Sequence, residues 1–590
     1  MNKKALMALI SMAAAGIASA ANVDITSDIT TSTTWNSTNI YNLTKQIYVR
    51  SGATLTIPAG TLIKSGTAVT NGGSLAVSRG AKIYVNGTKE NPVVMTSFND
   101  NGTARVACNE WGNLTLMGKG LISASSDSVR TRVDNTKTPD GDNVVQMEGI
   151  IADGTNTVTY GGNDDNDDSG SIHYLSLRYG GKVIGLNNEL NGLSLGGIGR
   201  ETDIDHVEIF NNVDDGIEIW GGAVNLKYIS IWNIGDDSLD IDQGWRGKAQ
   251  FGLIVQGLSA QAKQGSGWGD NCFETDGAED SDASPATTCK IANFTVIGQP
   301  DVSGGGDGAT VWRDNARVQY HNCLFMNIGE EIVRLDGNDT DGAQGYNYAL
   351  NGVAAAGGSA EEMAAFQGLW SAPYTSYYAD NFVTNVYATV ADMYLAQTSG
   401  NQCEIRNSVM FANATDSGDK ATAVGVYNVA MNNVVASVPP IVALTRGSLV
   451  TYSVEDNGTK TAKLYPVTYI DPRATNDAVN AAAVEQDEFL TSAPFAGGFS
   501  ANNNWIEGWT AAAQYGLTTS GVSAADPVST IQMTASTFFQ TTAGVVYTVE
   551  ESSDMKNWTP VATVTGDGSI KSATDLAAFN SAKFYRAIVL

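Results

Sequence analysis

Carboxylates recur along the middle of this 590-residue chain at a spacing that can do chemistry. Asp214-Asp215-Gly216-Ile217-Glu218 is followed 22 residues later by Asp236-Asp237-Ser238-Leu239-Asp240-Ile241-Asp242, and Asn271-Cys272-Phe273-Glu274-Thr275-Asp276 continues the series. Stacked as neighbouring strands about 4.8 Å apart, these segments would line up Asp215, Glu218, Asp237, Asp240, Asp242, Glu274 and Asp276. Such a column of like charges repels itself unless something neutralises it. Ca²⁺ is the expected neutraliser outside a cell, because it is a hard cation that takes several oxygen ligands. A second outcome stays open: Asp side chains that accept from turn N–H groups and build a ladder without metal. Paired acids also serve as acid and base in glycoside chemistry, and on that reading Asp214, Asp215, Asp236 and Asp237 are the catalytic candidates.

Tryptophans crowd the same segments. Trp220 and Trp312 fall on the outward side of the alternation, where a flat ring can stack on a sugar. Arg246, Arg313 and Arg334 are placed to hydrogen-bond hydroxyls or to pair with uronate groups. Packing beneath the segments 243–272 and 341–400 is the competing role for the rings. Two loops, 161–168 and 336–342, are further acidic clusters, and the second reads as a solvated turn. The second opens like an EF-hand loop but carries Asp341 at the sixth position, where that motif needs Gly.

The elements that must position these residues are short strands. Ala53-Thr54-Leu55-Thr56-Ile57, Gly73-Ser74-Leu75-Ala76-Val77 and Ala81-Lys82-Ile83-Tyr84-Val85 alternate with period 2 and are separated by glycine turns. No stretch between them is long enough for the helices that join strands of an open parallel sheet. A coil that lays each strand beside its predecessor needs none. From 191 to 336 the repeat aligns by hand, at steps of 22 to 36 residues. Leu193, Ile217, Leu239, Phe273, Ala309 and Val333 form one expected interior column, and Leu195, Ile219, Ile241, Thr275, Val311 and Leu335 form the next. A second strand per turn is marked by Leu175/Leu177, Val207/Ile209, Ile229/Ile231 and Phe294/Val296. The fold class is therefore all-β, a parallel β-helix, with a short helical insertion (starts at Ser359 and Thr384 within 341–400).

Composition sets the surroundings. Sixty-three glycines and 16% charged residues suit a turn-rich β protein. Lys3 and Lys4, an apolar run to Ile17 and Ala18-Ser19-Ala20 read as a signal peptide over 1–20. The net charge of −28 excludes nucleic acid and anionic membranes as partners and favours divalent cations and, through them, acidic polysaccharides. No later apolar run is long enough for a transmembrane segment. Five cysteines in an exported chain invite a bridge between Cys272 and Cys289. Cys323 falls at a core-facing position and is expected buried and unpaired, and Cys108 and Cys403 have no assignment.

These segments also resemble a known group. Gly73 to Ile83, Asp214 to Gly222, Asp236 to Gly247 and Asn504-Trp505-Ile506-Glu507-Gly508-Trp509-Thr510 look like a widespread set of bacterial secreted β-helix proteins, over roughly 40–520. The resemblance implies a right-handed parallel β-helix over 21–520 and an extracellular or outer-surface location, and it implies no reaction. After a linker at 516–530, the tail 527–590 resembles small C-terminal β modules of exported proteins. Asn212-Val213-Asp214-Asp215-Gly216 and Gly235-Asp236-Asp237-Ser238 are similar to polygalacturonase signatures. None of the three histidines lies in the Gly-His-Gly which that family also carries. The expected function is thus a secreted or cell-surface protein that binds glycan, or serves as a scaffold or adhesin, with Ca²⁺. The alternative is a pectinase-like hydrolase or lyase.

Overall fold

The computed structural model describes residues 21–335 outside 67–72, 125–142, 151–157, 185–188, 258–268, 279–284, 301–307 and 314–315. It then describes 372–375, 387–414, 431–454, 460–475 and 485–519, and beyond these the strands between 536 and 589. The expected signal peptide, the 336–342 loop and the expected helix starting at Ser359 lie outside the described residues. The second helix is represented by Val390–Met393.

The chain winds as a right-handed parallel β-helix. On one flank the strands Gln46–Val49, Ser74–Val77, Leu114–Met117, Leu193–Gly196, Ile217–Trp220, Leu239–Asp242, Asn271–Asp276, Gly308–Arg313 and Val333–Leu335 lie side by side in that order. All pair in parallel, as a coil without helical crossovers requires. A second, larger sheet closes the coil and holds the long strands Gly170–Arg178, Asp203–Phe210, Asn225–Trp232 and Lys248–Val255. Each of these long strands is bent in the middle by one left-handed residue: Tyr174 (φ 50), His206 (φ 51), Tyr228 (φ 59) and Phe251 (φ 61). The bend lets one strand serve two faces of the coil, and its repetition on every rung stacks the four rings in a column on the outside.

Core and register follow the alternation along most of the solenoid. Leu193, Ile217, Leu239 and Phe273 pair in sequence, as do Leu195, Ile219, Ile241 and Thr275. On the opposite wall Leu175, Val207 and Ile229 stack, as do Leu177, Ile209 and Ile231. The sequence alignment missed the next rung there, where Gly252 and Ile254 precede Phe294 and Val296. All the apolar members sit in one continuous interior cluster.

One rung departs from the expected register. Phe273 pairs with Thr310 and Thr275 with Trp312, so the strand Gly308–Arg313 is slipped by one residue against the hand alignment. Thr310 and Trp312 take the two interior columns, and Val311 moves to the outer one between Glu274 and Arg334. A one-residue slip exchanges the faces of a whole strand. The indole of Trp312 accordingly lies in the core cluster, stacked on Tyr320 at 6.1 Å.

The expected bridge between Cys272 and Cys289 is also absent. Cys289 is a free thiol, and both residues sit in the apolar interior on strands of different sheets. Cys323 is buried and free, as its core-facing position implied.

Two compact units divide the chain, residues 1–520 and 521–590. In the first, the segment 485–519 packs on the outside of the larger sheet. Buried Glu208 accepts from the N–H groups of Ala511 (2.6 Å) and Ala512 (3.1 Å), and Trp505 and Trp509 meet the aromatic column edge-on. In the second unit, Val546–Ser552 lies between Thr559–Thr565 and Phe584–Val589 in an antiparallel sheet.

Candidate functional site

The carboxylates meet on the outer face of the first flank. Glu218, Asp240 and Glu274 are direct neighbours on three successive parallel strands, and Ser194 and Val311 occupy the same column above and below. At the corner preceding these strands the Asp residues form the turn ladder. Asn191 Oδ1 accepts from Asp215 N (3.1 Å), Asp215 Oδ1 from Asp237 N (2.9 Å), and Asp237 Oδ1 from Asn271 N (2.6 Å). At Asp215 and Asp237 the backbone of the next rung thereby holds one carboxylate oxygen and leaves the other for the cluster.

Three overlapping groups result, each with ligand oxygens within 4.8 Å of one another: Asp214/Asp215/Asp236, Asp215/Glu218/Asp240 and Asp236/Asp237/Asp270. Glu218 also accepts a hydrogen bond from Asn191 Nδ2. Asp240 Oδ1 is buried without a hydrogen-bond partner. A buried, unpartnered carboxylate oxygen is a large deficit, and a proton or a cation is what removes it.

Electrostatics state the same deficit. Burial, reinforced by neighbouring carboxylates, pushes the carboxyls of Asp214, Asp215, Glu218, Asp237 and Asp240 well above their ordinary range. Glu274 is raised to about 8, by burial first, with Arg313 pulling it back and Asp276 adding to the rise. Arg313 stands at this end of the column and pairs with Glu274 and with Asp276 at 2.7 Å. Burial works against its charge, but the hydrogen bond to Asp276 and the fields of Glu274 and Asp240 outweigh it and raise its pKa. The cluster thus gathers carboxylate oxygens of the kind a hard dication takes, in a setting where burial and like charges disfavour the charged form.

The remaining expected site residues separate. Trp220 points outward but is only 5% exposed, because Tyr160 and Met147 of the 143–160 region cover it. Trp312 faces the interior. Neither ring offers a stacking face, which corrects the expectation that both do. Arg334 lies outward beside Val311, and Arg313 stands where the alignment put Trp312. Arg246 is fully buried and paired with both oxygens of Asp165, so it staples the 161–168 loop to the solenoid and is not a sugar contact. The acids Glu148, Glu189 and Asp270 act on the cluster and were not expected. Glu148 and Glu189 lie in irregular segments outside the repeat, and no spacing could have placed them.

Parallel sheets wound without helical crossovers, with outward acids on three successive rungs, place the protein in the class of parallel β-helices. Residues 27–407, more than half of the chain, match the family described as the pectate-lyase-like beta helix domain, and the chain belongs to that family. No curated protein and no solved structure matches it. Among the described residues no helix is long and apolar enough to cross a membrane.

Proposed function

We propose that this is an exported or surface-displayed β-helix protein that binds acidic extracellular polysaccharide through Ca²⁺ held on its carboxylate flank. The observation that carries the reading is the Asp215/Glu218/Asp240 group with its unpartnered Asp240 oxygen. A dication seated there neutralises acids whose charged form burial and neighbouring carboxylates disfavour, and its open coordination positions accept uronate oxygens. With both tryptophans covered, recognition rests on charge and coordination, which favours polyuronates over neutral glycans.

A glycan array of the mature protein, scored for retention and for cleavage, tests this reading. Retention on polyuronates with Ca²⁺, abolished by chelator and weakened at least about tenfold by Asp240→Asn, is expected. Equal retention with and without chelator would refute it.

A degradative enzyme is the second reading, supported by the proximity of Asp214, Asp215 and Asp236 and by the name of the family. Release of unsaturated or reducing ends, stopped by Asp236→Asn or Asp237→Asn, would put it first.

A further inference from the structure

A groove of about 540 Å³ opens on the outside of the larger sheet, not on the flank that carries the acids. Its volume falls in the range of roughly 300–1,000 Å³ that small-molecule pockets occupy. One wall is formed by Met326 and Phe411, direct neighbours on adjacent parallel strands, with Asn327 beside them. The other is the strand Ile441–Arg446, which pairs antiparallel with Val467–Ala474 and gives the groove residues 441–444 and Arg446. The walls are apolar and firmly seated: Met326 and Ile441 are buried in the hydrophobic cluster outside the lumen, and Phe411 and Leu444 pack against it. Val442 nevertheless stays 50% exposed, and Val438 just before it 57%. Exposed apolar residues gathered beside a groove mark a binding surface.

Arg446 supplies the one charge in this lining. In a chain of net charge −28 an arginine readily finds an acid, as Arg50, Arg246, Arg313 and Arg473 do. Arg446 does not: among the described residues its partners are neutral oxygens. Its Nη1 donates to Tyr465 O (3.0 Å), and its Nη2 to Gly298 O (2.7 Å) and Asn327 Oδ1 (3.3 Å). Burial, with no carboxylate to oppose it, pulls the guanidinium down to about 10. A guanidinium has five N–H donors, so these three bonds leave donors free for a ligand. Asn327, which accepts through Oδ1, keeps its Nδ2 amide as a further donor beside them. A cation partly withdrawn from water without a counter-charge is destabilising, and an anion in the groove relieves it.

We propose that this groove binds a straight-chain monocarboxylate of the fatty-acid type, its carboxylate on Arg446 and its chain lying along the strand toward Ile441. Shape and charge both point to that class. Ile441 and Arg446 stand five residues apart on one strand, about 17 Å, so the groove is long, charged at one end and apolar along the rest. The flexible thioether of Met326 adapts to a chain. A carboxylate on a guanidinium forms charge-assisted hydrogen bonds, stronger than those Arg446 makes to its neutral partners. A sugar finds little here, because the apolar walls leave its hydroxyls without partners. A purely structural Arg446, tying its strand to Tyr465 and Gly298, accounts for those bonds. It gives no reason for an apolar groove with exposed valines beside them.

Isothermal titration of the full-length protein with decanoate, below its micelle concentration and in EGTA so that no Ca²⁺ salt forms, tests the site. One equivalent is expected to bind. Decanol, which keeps the chain and lacks the charge, and acetate, which keeps the charge and lacks the chain, should each bind about tenfold more weakly or worse. Arg446→Gln should bring decanoate down to the level of decanol. Val442→Glu sets a like charge in the groove and should weaken decanoate by about tenfold, and decanol less. Val442 is half exposed, so this variant is expected to fold even if Arg446→Gln does not, and its melting curve checks that. Absence of decanoate binding, equal affinity for decanoate and decanol, or binding unchanged in Val442→Glu would overturn the proposal.

Discussion

Removing divalent cations should make this protein less stable as the pH rises, the reverse of what carboxylate-rich proteins with satisfied acids do. The sign follows from the flank. Glu274 titrates at about 8 in the folded chain against an ordinary 4.5. A group raised in this way stabilises the fold fully below its unfolded value, and that contribution is lost as pH climbs through the folded value. For Glu274 alone the loss between pH 5 and 8 is roughly 3–4 kcal/mol. Asp215, Glu218 and Asp240 are raised as well and add in the same direction. Asp205 and Glu404, both held at about 2, lose nothing in this window, because their stabilisation is complete above about 4.5. On the proposed function Ca²⁺ binds the deprotonated acids, and it should then restore about 2.7 kcal/mol at a hundredfold excess over its dissociation constant. Urea unfolding at pH 5 and pH 8, with EGTA or with Ca²⁺, measures both effects. Glu274→Gln should flatten the pH dependence seen in EGTA. The reasoning fails if the EGTA-treated protein is more stable at pH 8 than at pH 5. It also fails if NaCl at equal ionic strength replaces Ca²⁺, which would reduce the effect to screening.

Trp312→Ala should cost about 3–5 kcal/mol in urea unfolding, as loss of a core ring does; an unchanged midpoint would return the indole to the surface. Asp165→Asn leaves Arg246 buried beside a neutral partner, and a loss of roughly 3–5 kcal/mol is expected by the same assay. Burial opposes the Glu404 charge, but hydrogen bonds from His321 and Arg406 outweigh it, so stability should fall by about 3 kcal/mol as pH drops from 4.5 to 2. Glu404→Gln should abolish that part of the acid transition. Glu208→Gln places an amide hydrogen against Ala511 N–H or Ala512 N–H, and limited proteolysis should then cut within 490–519 faster than in the wild type.

The repeat determined the winding and the acids. Alternating apolar residues with no helical crossover leave a coil as the way to pair the strands, and period 2 then sends Glu218, Asp240 and Glu274 to one outer column. Those three are neighbours in the fold. The same logic failed at Gly308–Arg313. The motif there matches the earlier rungs by eye, yet both of its faces are buried: Val311, on the outer column, is 0% exposed and Trp312 is 2% exposed. When both faces of a strand are covered, alternation no longer says which side is in, and the volume of the indole in the lumen settles the register.

Other features depend on contacts between residues far apart in the chain. Asp165 finds Arg246 across 81 positions, and Glu208 finds Ala511 across 303. Tyr160 and Met147 cover Trp220 from a segment outside the repeat. The Cys272–Cys289 spacing suggested a bridge, but their strands belong to different sheets of the coil. A periodic sequence specifies which side of each strand faces the core, because that follows from local backbone geometry. What lies over the outer side depends on how non-repeating segments fold back, and only their tertiary packing decides whether an outward ring or acid meets solvent, a partner or nothing.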